Sequence, residues 1–415
     1  MNETVIVSAV RTPVGRYLGA LKNVEAYDLA GLVLNESVKK AGLQPGQVDE
    51  VILGQSYQNG EYVNVARMAL LKAGWPESIP GMTVDRRCCT GLDVVRLAAA
   101  LIQSGQAEIV VAAGVESMSN AEFYLPGSIK WGVGGDRGRP RGHGDLSLWG
   151  LPFYDRIQRA RVMSQPEERY GILPAMMTWA ETAAKKEDIS REACDQWAFA
   201  SHQKACEAMQ TGKFKDEIVP VSVSQARGEP VIVDCDENPR PDTSLEKLSR
   251  LKPVLGGVCT AGNSSTENDG AAAVVVMAAK RAAKLGLEPL ACLKSCVVVG
   301  DDPRYTYRTV PLAAKKALNL AGVSLEQVDL IEIQEAFAAQ VLADLKDMGV
   351  ADKDYGRVNV NGSGISLGHP VACTGTRVLV TLLHEMKRRN AGLGLECICG
   401  GGGLGIAAVL ERGSL

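Results

Sequence analysis

Three short stretches of the chain place reactive side chains where backbone geometry can sharpen them. Thr83 to Leu92 reads TVDRRCCTGL and runs into the apolar helical pattern of Val94, Val95, Leu97 and Leu101. Cys88 and Cys89 therefore sit in the turn feeding a helix N-terminus. Unpaired N–H groups and the helix dipole favour a thiolate there, and the thiolate is the nucleophilic form of cysteine. Buried free cysteine is also a common packing residue, so position alone does not decide. Asn361 to Pro370 reads NGSGISLGHP, and among four histidines only His369 is framed by glycine and proline. An imidazole on such a loop can approach a thiol closely and take its proton. His143, His202 and His384 stand in charged or helical settings and read as surface residues. The third stretch, Cys397 to Gly405, reads CICGGGGLG, too glycine-rich for the interior of a strand or helix. Its bare N–H groups suit an oxyanion or a phosphate. It is neither a dinucleotide fingerprint, lacking the helix and acidic partner, nor a P-loop, lacking Gly-Lys-Ser/Thr.

The elements that must hold these stretches are duplicated. Ala41 to Asp49 reads AGLQPGQVD and Ala321 to Asp329 reads AGVSLEQVD. Each follows an amphipathic helical stretch, and each precedes an apolar strand, at Val51 and at Leu330. Thr90-Gly91 and Thr374-Gly375 then each open a helix that leads to a further strand. Two halves of similar order imply a duplicated α/β unit. Residues from about 120 to 250 carry weaker strand signals, and Pro126 to Gly150 is rich in glycine, proline and arginine. This region reads as an insertion, a lid or substrate-binding subdomain, against the plainer reading of a surface elaboration.

A chain of 415 residues exceeds one ordinary domain. The balance of 46% hydrophobic and 22% charged residues is that of a soluble globular enzyme. A net charge of -3 supplies no polyelectrolyte term for nucleic acid or an anionic membrane. Eleven cysteines show neither a disulfide framework nor zinc-ligand spacing, which points to a reducing, cytoplasmic compartment and no metal. Neither a signal peptide nor a bilayer-length apolar run is evident.

Together the three stretches resemble the thiolase family. Its nucleophile motif of the type Val-Asn-x-x-Cys-x-Ser/Thr-Gly is similar to Val84–Gly91, its Gly-His-Pro loop to Gly368–Pro370, and its C-terminal Cys-x-Gly-Gly-Gly-x-Gly to Cys399–Gly405. VSAVRTPVG near the N-terminus, AAGVESMS from Ala112 and TAGNSSTENDG from Thr260 resemble further family segments. The resemblance implies an α/β, duplicated five-layered αβαβα fold with an inserted loop domain. The expected division is 1–120 plus 251–290 for the N-terminal domain, 121–250 for the insertion and 291–415 for the C-terminal domain. It further implies Cys88 as acyl-carrying nucleophile, with Thr90-Gly91 fixing the register against Cys89. His369 would be its base, and Cys399 the acid/base at the α-carbon, in preference to Cys397. The N–H groups of Cys88 and Gly401 would form one oxyanion hole. Arg240 and Ser265 fall where relatives contact coenzyme A, a co-substrate; no permanently bound cofactor is expected. A homodimer or homotetramer is implied, with no nucleic-acid or membrane partner.

Three positions depart from the family pattern. Gln334 replaces the asparagine of Asn-Glu-Ala-Phe, Ala175 replaces a loop histidine, and Asp85 replaces the motif asparagine. The resemblance implies reversible CoA-dependent cleavage or formation of a 3-oxoacyl-CoA, and these departures point to a catabolic direction and an unusual, bulky or aromatic acyl group. One named possibility is 2-benzoylsuccinyl-CoA, which would carry the expectation of a small zinc-containing partner subunit. The alternatives are an ordinary acetoacetyl-CoA thiolase and a non-catalytic acyl-CoA-binding subunit. A ketosynthase is disfavoured, because that chemistry pairs the cysteine with two histidines and Cys399 stands in the third place.

Overall fold

The computed structural model describes residues 3–127, 153–173 and 176–413. Runs of valine, isoleucine and alanine form a central sheet whose inner strands are buried on both faces, while the edge strand Gly81–Val84 is partly exposed. Its strands are β1 (Thr4–Arg11), β2 (Glu50–Gly54), β3 (Gly81–Val84), β4 (Ile109–Ser117), β5 (Asn268–Ala278), β6 (Ala291–Gly300), β7 (Leu330–Ile333), β8 (Leu393–Gly400) and β9 (Leu404–Glu411). They lie in the order β7-β8-β9-β6-β1-β5-β4-β2-β3. In the first half β2 is parallel to β3 and β4, while β4–β5 and β5–β1 are antiparallel. The second half repeats this: β7 is parallel to β8, and β8–β9 and β9–β6 are antiparallel. A parallel bridge from Ile331 to Val358 stands where β3 stands in the first half. The halves meet through the short pairing of Val5 and Ile6 with Cys292 and Ala291.

The repeated sequence AGxxxxQVD has the same job in both halves. Residues Pro45–Gln47 and Leu325–Gln327 each form a tight helical turn closed by a capping box. Oδ2 of Asp49 then accepts the N–H groups of Glu108 and Ile109 at 2.7 and 2.9 Å, and Oδ2 of Asp329 those of Gly392 and Leu393 at 2.7 and 2.9 Å. Each aspartate thus starts the strand that runs to the reactive end of its half.

The principal helices are α1 (Ala26–Lys40), α2 (Val65–Lys72), α3 (Thr90–Gln103), α4 (Arg156–Val162), α5 (Met177–Glu187), α6 (Arg191–Gln210), α7 (Thr309–Ala321), α8 (Ala338–Met348) and α9 (Thr374–Arg389). α1 and α2 cover the outer face of the first half-sheet, and α7 and α8 that of the second. α3 and α9 lie between the half-sheets and are buried over most of their length, which gives five layers. The two inner helices touch at their first turns. A Cβ on Gly91 would meet Thr376 N at 2.6 Å, and one on Gly375 would meet Leu92 N at 2.3 Å. Only glycine permits that approach, and it brings the two loops preceding these helices, which carry Cys88 and His369, to one place.

The stretch between β4 and β5 holds α4, α5, α6 and two small hairpin sheets, Phe123–Tyr124 with Tyr154–Asp155 and Val221–Val223 with Val231–Val233. Most of the glycine- and proline-rich run expected at Pro126 to Gly150 lies outside the described residues, as do His143 and Ala175. His202 is not a surface residue: it is 4% exposed within α6, and burial together with Arg240 and Arg16 lowers its imidazole to about 4. Among the described residues no helix is long and apolar enough to cross a membrane.

Candidate active site

Beyond β3 the chain bends through Asp85–Cys89 into α3. Asp85 Oδ1 shapes the bend by accepting the Arg87 N–H at 2.7 Å and the Ser56 hydroxyl at 2.8 Å. One carboxylate oxygen makes both contacts, a role an asparagine oxygen could also fill. Arg87 is held at φ +54°, a left-handed conformation costing a side-chain-bearing residue about 1–3 kcal/mol. The bend presents Cys88 to a cavity and turns Cys89 into the core, fully buried, with its Sγ 3.7 Å from the Ile398 carbonyl.

The histidine loop arrives from the other half. Gly368 adopts φ +97°, and a Cβ there would lie 2.5 Å from Asn268. The His369 N–H donates to Asn268 Oδ1 at 2.9 Å, so the glycine and the asparagine together place the ring. His369 Nε2 lies 3.2 Å from Cys88 Sγ, and Nδ1 lies 2.7 Å from Thr374 Oγ1. The Thr374 hydroxyl donates to the Pro370 carbonyl at 3.0 Å, which leaves its oxygen to accept from Nδ1–H. That network puts the imidazole proton on Nδ1 and a lone pair on Nε2, facing the thiol.

Burial decides the resting charges. It lowers His369 to about 3, with Arg377 and Arg161 acting in the same direction. It raises the Cys88 thiol to about 11, against the pull of the Gly401 N–H, Arg87 and its own N–H. Desolvation outweighs the helix dipole that the sequence led us to expect would favour a thiolate. The pair rests as neutral thiol and neutral imidazole, and the proton passes to Nε2 as sulfur attacks.

Cys399 precedes the last residue of β8, lines the same cavity, and has its thiol raised by burial and then by Asp344 and Cys88, so it is a proton-bearing group at rest. Cys397, two residues back on the same strand, is fully buried and does not reach the cavity. The strand continues through Gly400, so only Gly401–Gly403 form the turn, a shorter loop than the glycine run suggested. Gly402 and Gly403 sit at φ +87° and +76°. A Cβ on Gly401 would meet Met176 Cε at 2.5 Å. The Gly401 N–H faces Cys88, placing a donor beside any oxygen that gains charge there.

These groups share a cavity of about 330 Å³ whose remaining wall includes Ser265, Met118, Met176, Trp179 and Phe337. α4 and α5, from the stretch between β4 and β5, provide Ala160, Arg161, Met177 and Trp179, so that stretch forms one side of the chamber. Trp179 packs edge-on against Phe337 at 5.2 Å. Arg240 lies elsewhere, in a surface groove with Phe199 and Cys206, its N–H donating to His202 Nδ1 at 3.2 Å. Gln334 is fully buried after β7 and is not on the cavity wall; among the described residues its carboxamide has no hydrogen-bond partner. Among the described residues no group of histidine, cysteine and acidic side chains is placed to hold a metal ion.

Several functional supports were not picked out from the sequence. Glu116 is buried and accepts from the N–H groups of Ser56, Tyr57 and Ala372 at 3.1, 3.0 and 2.9 Å, tying the β2 end to the histidine loop. Glu335 similarly accepts from Trp197, Ser201, Asn359 and the Ile365 N–H. A charged residue inside an apolar strand, as in AAGVESMS, was the available signal for Glu116. Thr374 carried none beyond opening a helix.

Comparisons with known proteins agree along the whole length. The model of the thiolase N-terminal domain matches residues 4–280, and that of the thiolase C-terminal domain matches 287–412. An acetyl-CoA acetyltransferase of Cupriavidus necator is 44% identical over 414 residues, covering 99% of this chain and 100% of that protein. One of Escherichia coli is 42% identical, again covering 99% and 100%. The crystal structure of the Bacillus anthracis acetyl-CoA acetyltransferase superposes with a TM-score of 0.89 at 40% identity, covering 99% of each chain.

Proposed function

The chain belongs to the thiolase family and is an acyltransferase, and from that premise we propose that it catalyses reversible, CoA-dependent cleavage of a 3-oxoacyl-CoA through an acyl-Cys88 intermediate. The observation that carries this reading is the 3.2 Å contact between Cys88 Sγ and His369 Nε2 in a cavity that also holds Cys399. In the cleavage direction Nε2 takes the thiol proton and Sγ attacks the C3 ketone carbon. Its oxygen gains negative charge, which donors fixed beforehand stabilise. The C2–C3 bond then breaks, and its electron pair stays on C2 as the enolate of acetyl-CoA. Cys399 gives its proton to C2, and acetyl-CoA leaves. The thiol of incoming CoA gives its proton to the Cys399 thiolate and attacks the acyl thioester; Cys88 sulfur departs and recovers the proton held by His369. Condensation is the same path reversed. Two groups are needed because the sulfur that carries the acyl chain cannot also serve the α-carbon.

We take acetoacetyl-CoA as the reference substrate. The bulky or aromatic acyl group expected from the sequence departures lacks support. Gln334 and Asp85 stand off the cavity wall, Ala175 is outside the described residues, and the relatives from Cupriavidus necator and Escherichia coli carry the name acetyl-CoA acetyltransferase. The zinc-containing partner rested on that same expectation and goes with it. Contacts of Ser265 with the pantetheine arm and of Arg240 with the nucleotide end of CoA remain part of the proposal. Ser265 is on the chamber wall, whereas Arg240 requires CoA to extend to the groove beside His202. The test is to mix the protein with acetoacetyl-CoA and free CoA and follow acetyl-CoA. Absence of turnover, together with no acyl adduct on Cys88, sinks the reading.

A further inference from the structure

The chamber around Cys88 contains two guanidinium groups, and only one is neutralised. Arg161 is ion-paired with Glu267, which lines the chamber beside it. Arg87, one residue before the nucleophile, spends Nη2 on the Ala160 carbonyl at 2.9 Å. Among the described residues no carboxylate lies within ion-pair distance of the Arg87 guanidinium, whereas Asp85, its near neighbour in sequence, is engaged with Ser56 and with the Arg87 backbone. The rest of the wall combines three methionines, Trp179 and Phe337 with the polar run Ser264, Ser265 and Thr266. Arg87 is half-buried, so its guanidinium is open to an anion that enters the chamber. Its position is also imposed, since φ of +54° at Arg87 is not a conformation an arginine adopts by preference.

We propose that Arg87 selects 3-oxoacyl-CoA substrates whose acyl group ends in a carboxylate. The proposal rests on the thiolase reading and specifies its substrate class. Arginine has five N–H donors in a planar fork, and those not used on Ala160 suit two-point recognition of a carboxylate. The phosphates of CoA do not meet this need, because the pantetheine arm holds them far from the sulfur that exchanges with Cys88. The anion that reaches a group beside Cys88 is therefore one carried on the acyl side. Acetoacetyl-CoA fits the same chamber but leaves Arg87 unpaired, so it is accepted without being preferred.

A plainer role for Arg87 is to latch α4 through Ala160, or to ease ionisation of Cys88. Either role affects every substrate alike, and this separates the readings. The full-length protein is assayed for kcat/KM with 3-oxoadipyl-CoA, its one-carbon-longer homologue, the terminal methyl ester of each, and acetoacetyl-CoA. The wild type should favour at least one free acid over its own ester by about ten- to a hundredfold, the range for a charge-assisted hydrogen-bonded contact. R87M should bring that ratio to about one, and R87K should keep part of it. Equal rates on acid and ester in the wild type overturn the proposal without any variant. So does an R87M enzyme that loses activity on both while the ratio stands. If acetoacetyl-CoA too is inert and Cys88 takes no acyl group, the thiolase reading itself has failed. Turnover of acetoacetyl-CoA with no preference for the acids removes the carboxylate proposal alone.

Discussion

Thr374 Oγ1 lies 2.7 Å from His369 Nδ1, and the contact fixes which ring nitrogen faces Cys88. Because the hydroxyl donates onward to Pro370, it can only accept from the imidazole. Thr374→Val keeps the shape and removes the acceptor, leaving a buried N–H unpaired and the other tautomer accessible. Thr374→Ser restores the oxygen. We expect Thr374→Val to lower kcat/KM about 10- to 100-fold and Thr374→Ser to recover most of it. A purely structural role would be revealed by a lower melting temperature in Thr374→Val with unchanged kcat/KM at 25 °C.

Cys88→Ser should abolish turnover while leaving the fold intact, since the hydroxyl is a far weaker nucleophile in the same place. Mass spectrometry after mixing wild type with acyl-CoA should find the adduct on Cys88. Cys89 faces Ile398 in the core, so an adduct there would overturn the assignment.

The neutral resting pair has a consequence for pH. Protonation of His369 removes the base, and burial lowers that event to about 3. Ionisation of Cys88 is raised to about 11. Both limbs therefore move outward from neutrality, the acidic one downward and the basic one upward. As far as this pair sets it, kcat/KM for acylation of Cys88 should stay level over about pH 5 to 9, and in Glu116→Gln, which removes the loop carboxylate that burial raises to about 7, the same profile should hold. A fall in rate centred on 6.5, the ordinary histidine value, would mean that water reaches the ring and that the buried, neutral pair is wrong.

The reactive segments were legible because special backbone leaves a mark in composition. Gly368 and the Gly401–Gly403 turn are positions where a side chain collides or φ is positive, and they stood out as glycine. The duplication was legible for a similar reason: Asp49 and Asp329 perform one backbone-capping task, so the residues around them repeat. Supports such as Glu116, Asn268 and Thr374 act across more than a hundred residues or through a single oxygen, and local pattern does not encode either. The upward shift of the Cys88 thiol was not legible, because a helix terminus is visible in sequence and the depth of burial is not.

Cys399→Ser should separate two steps that the geometry assigns to different groups. Acylation of Cys88 needs His369, whereas exchange of the acetyl-CoA α-protons needs an acid/base at C2. Exchange into deuterated water should fall by about a hundredfold or more, with the rate of Cys88 acylation affected far less. Cys397→Ser, inside the core and off the cavity, should be mild in both assays. Equal loss of both steps in Cys399→Ser would point to a collapsed site instead.

Gln334 poses the sharpest remaining question about the catalytic machinery. Its carboxamide is fully buried with neither oxygen nor nitrogen partnered among the described residues, and it packs so closely on Gly364 that a Cβ there would lie 2.4 Å from Nε2. A buried amide left without partners costs stability, and a protein that keeps one either holds an ordered water with it or uses it on a ligand. Gln334→Leu replaces the amide by an apolar group of similar size. If the amide serves only packing, the variant should be neutral or more stable, by about 1 kcal/mol, with kcat/KM unchanged. If it holds a water that steadies the thioester oxygen during condensation, stability should rise in the same way while kcat falls about 10²- to 10³-fold. We expect the first result, because Gln334 is fully buried and stands off the cavity wall. The two readouts, melting temperature and kcat, are measured on one preparation. A rise in the first with no change in the second removes Gln334 from the catalytic set.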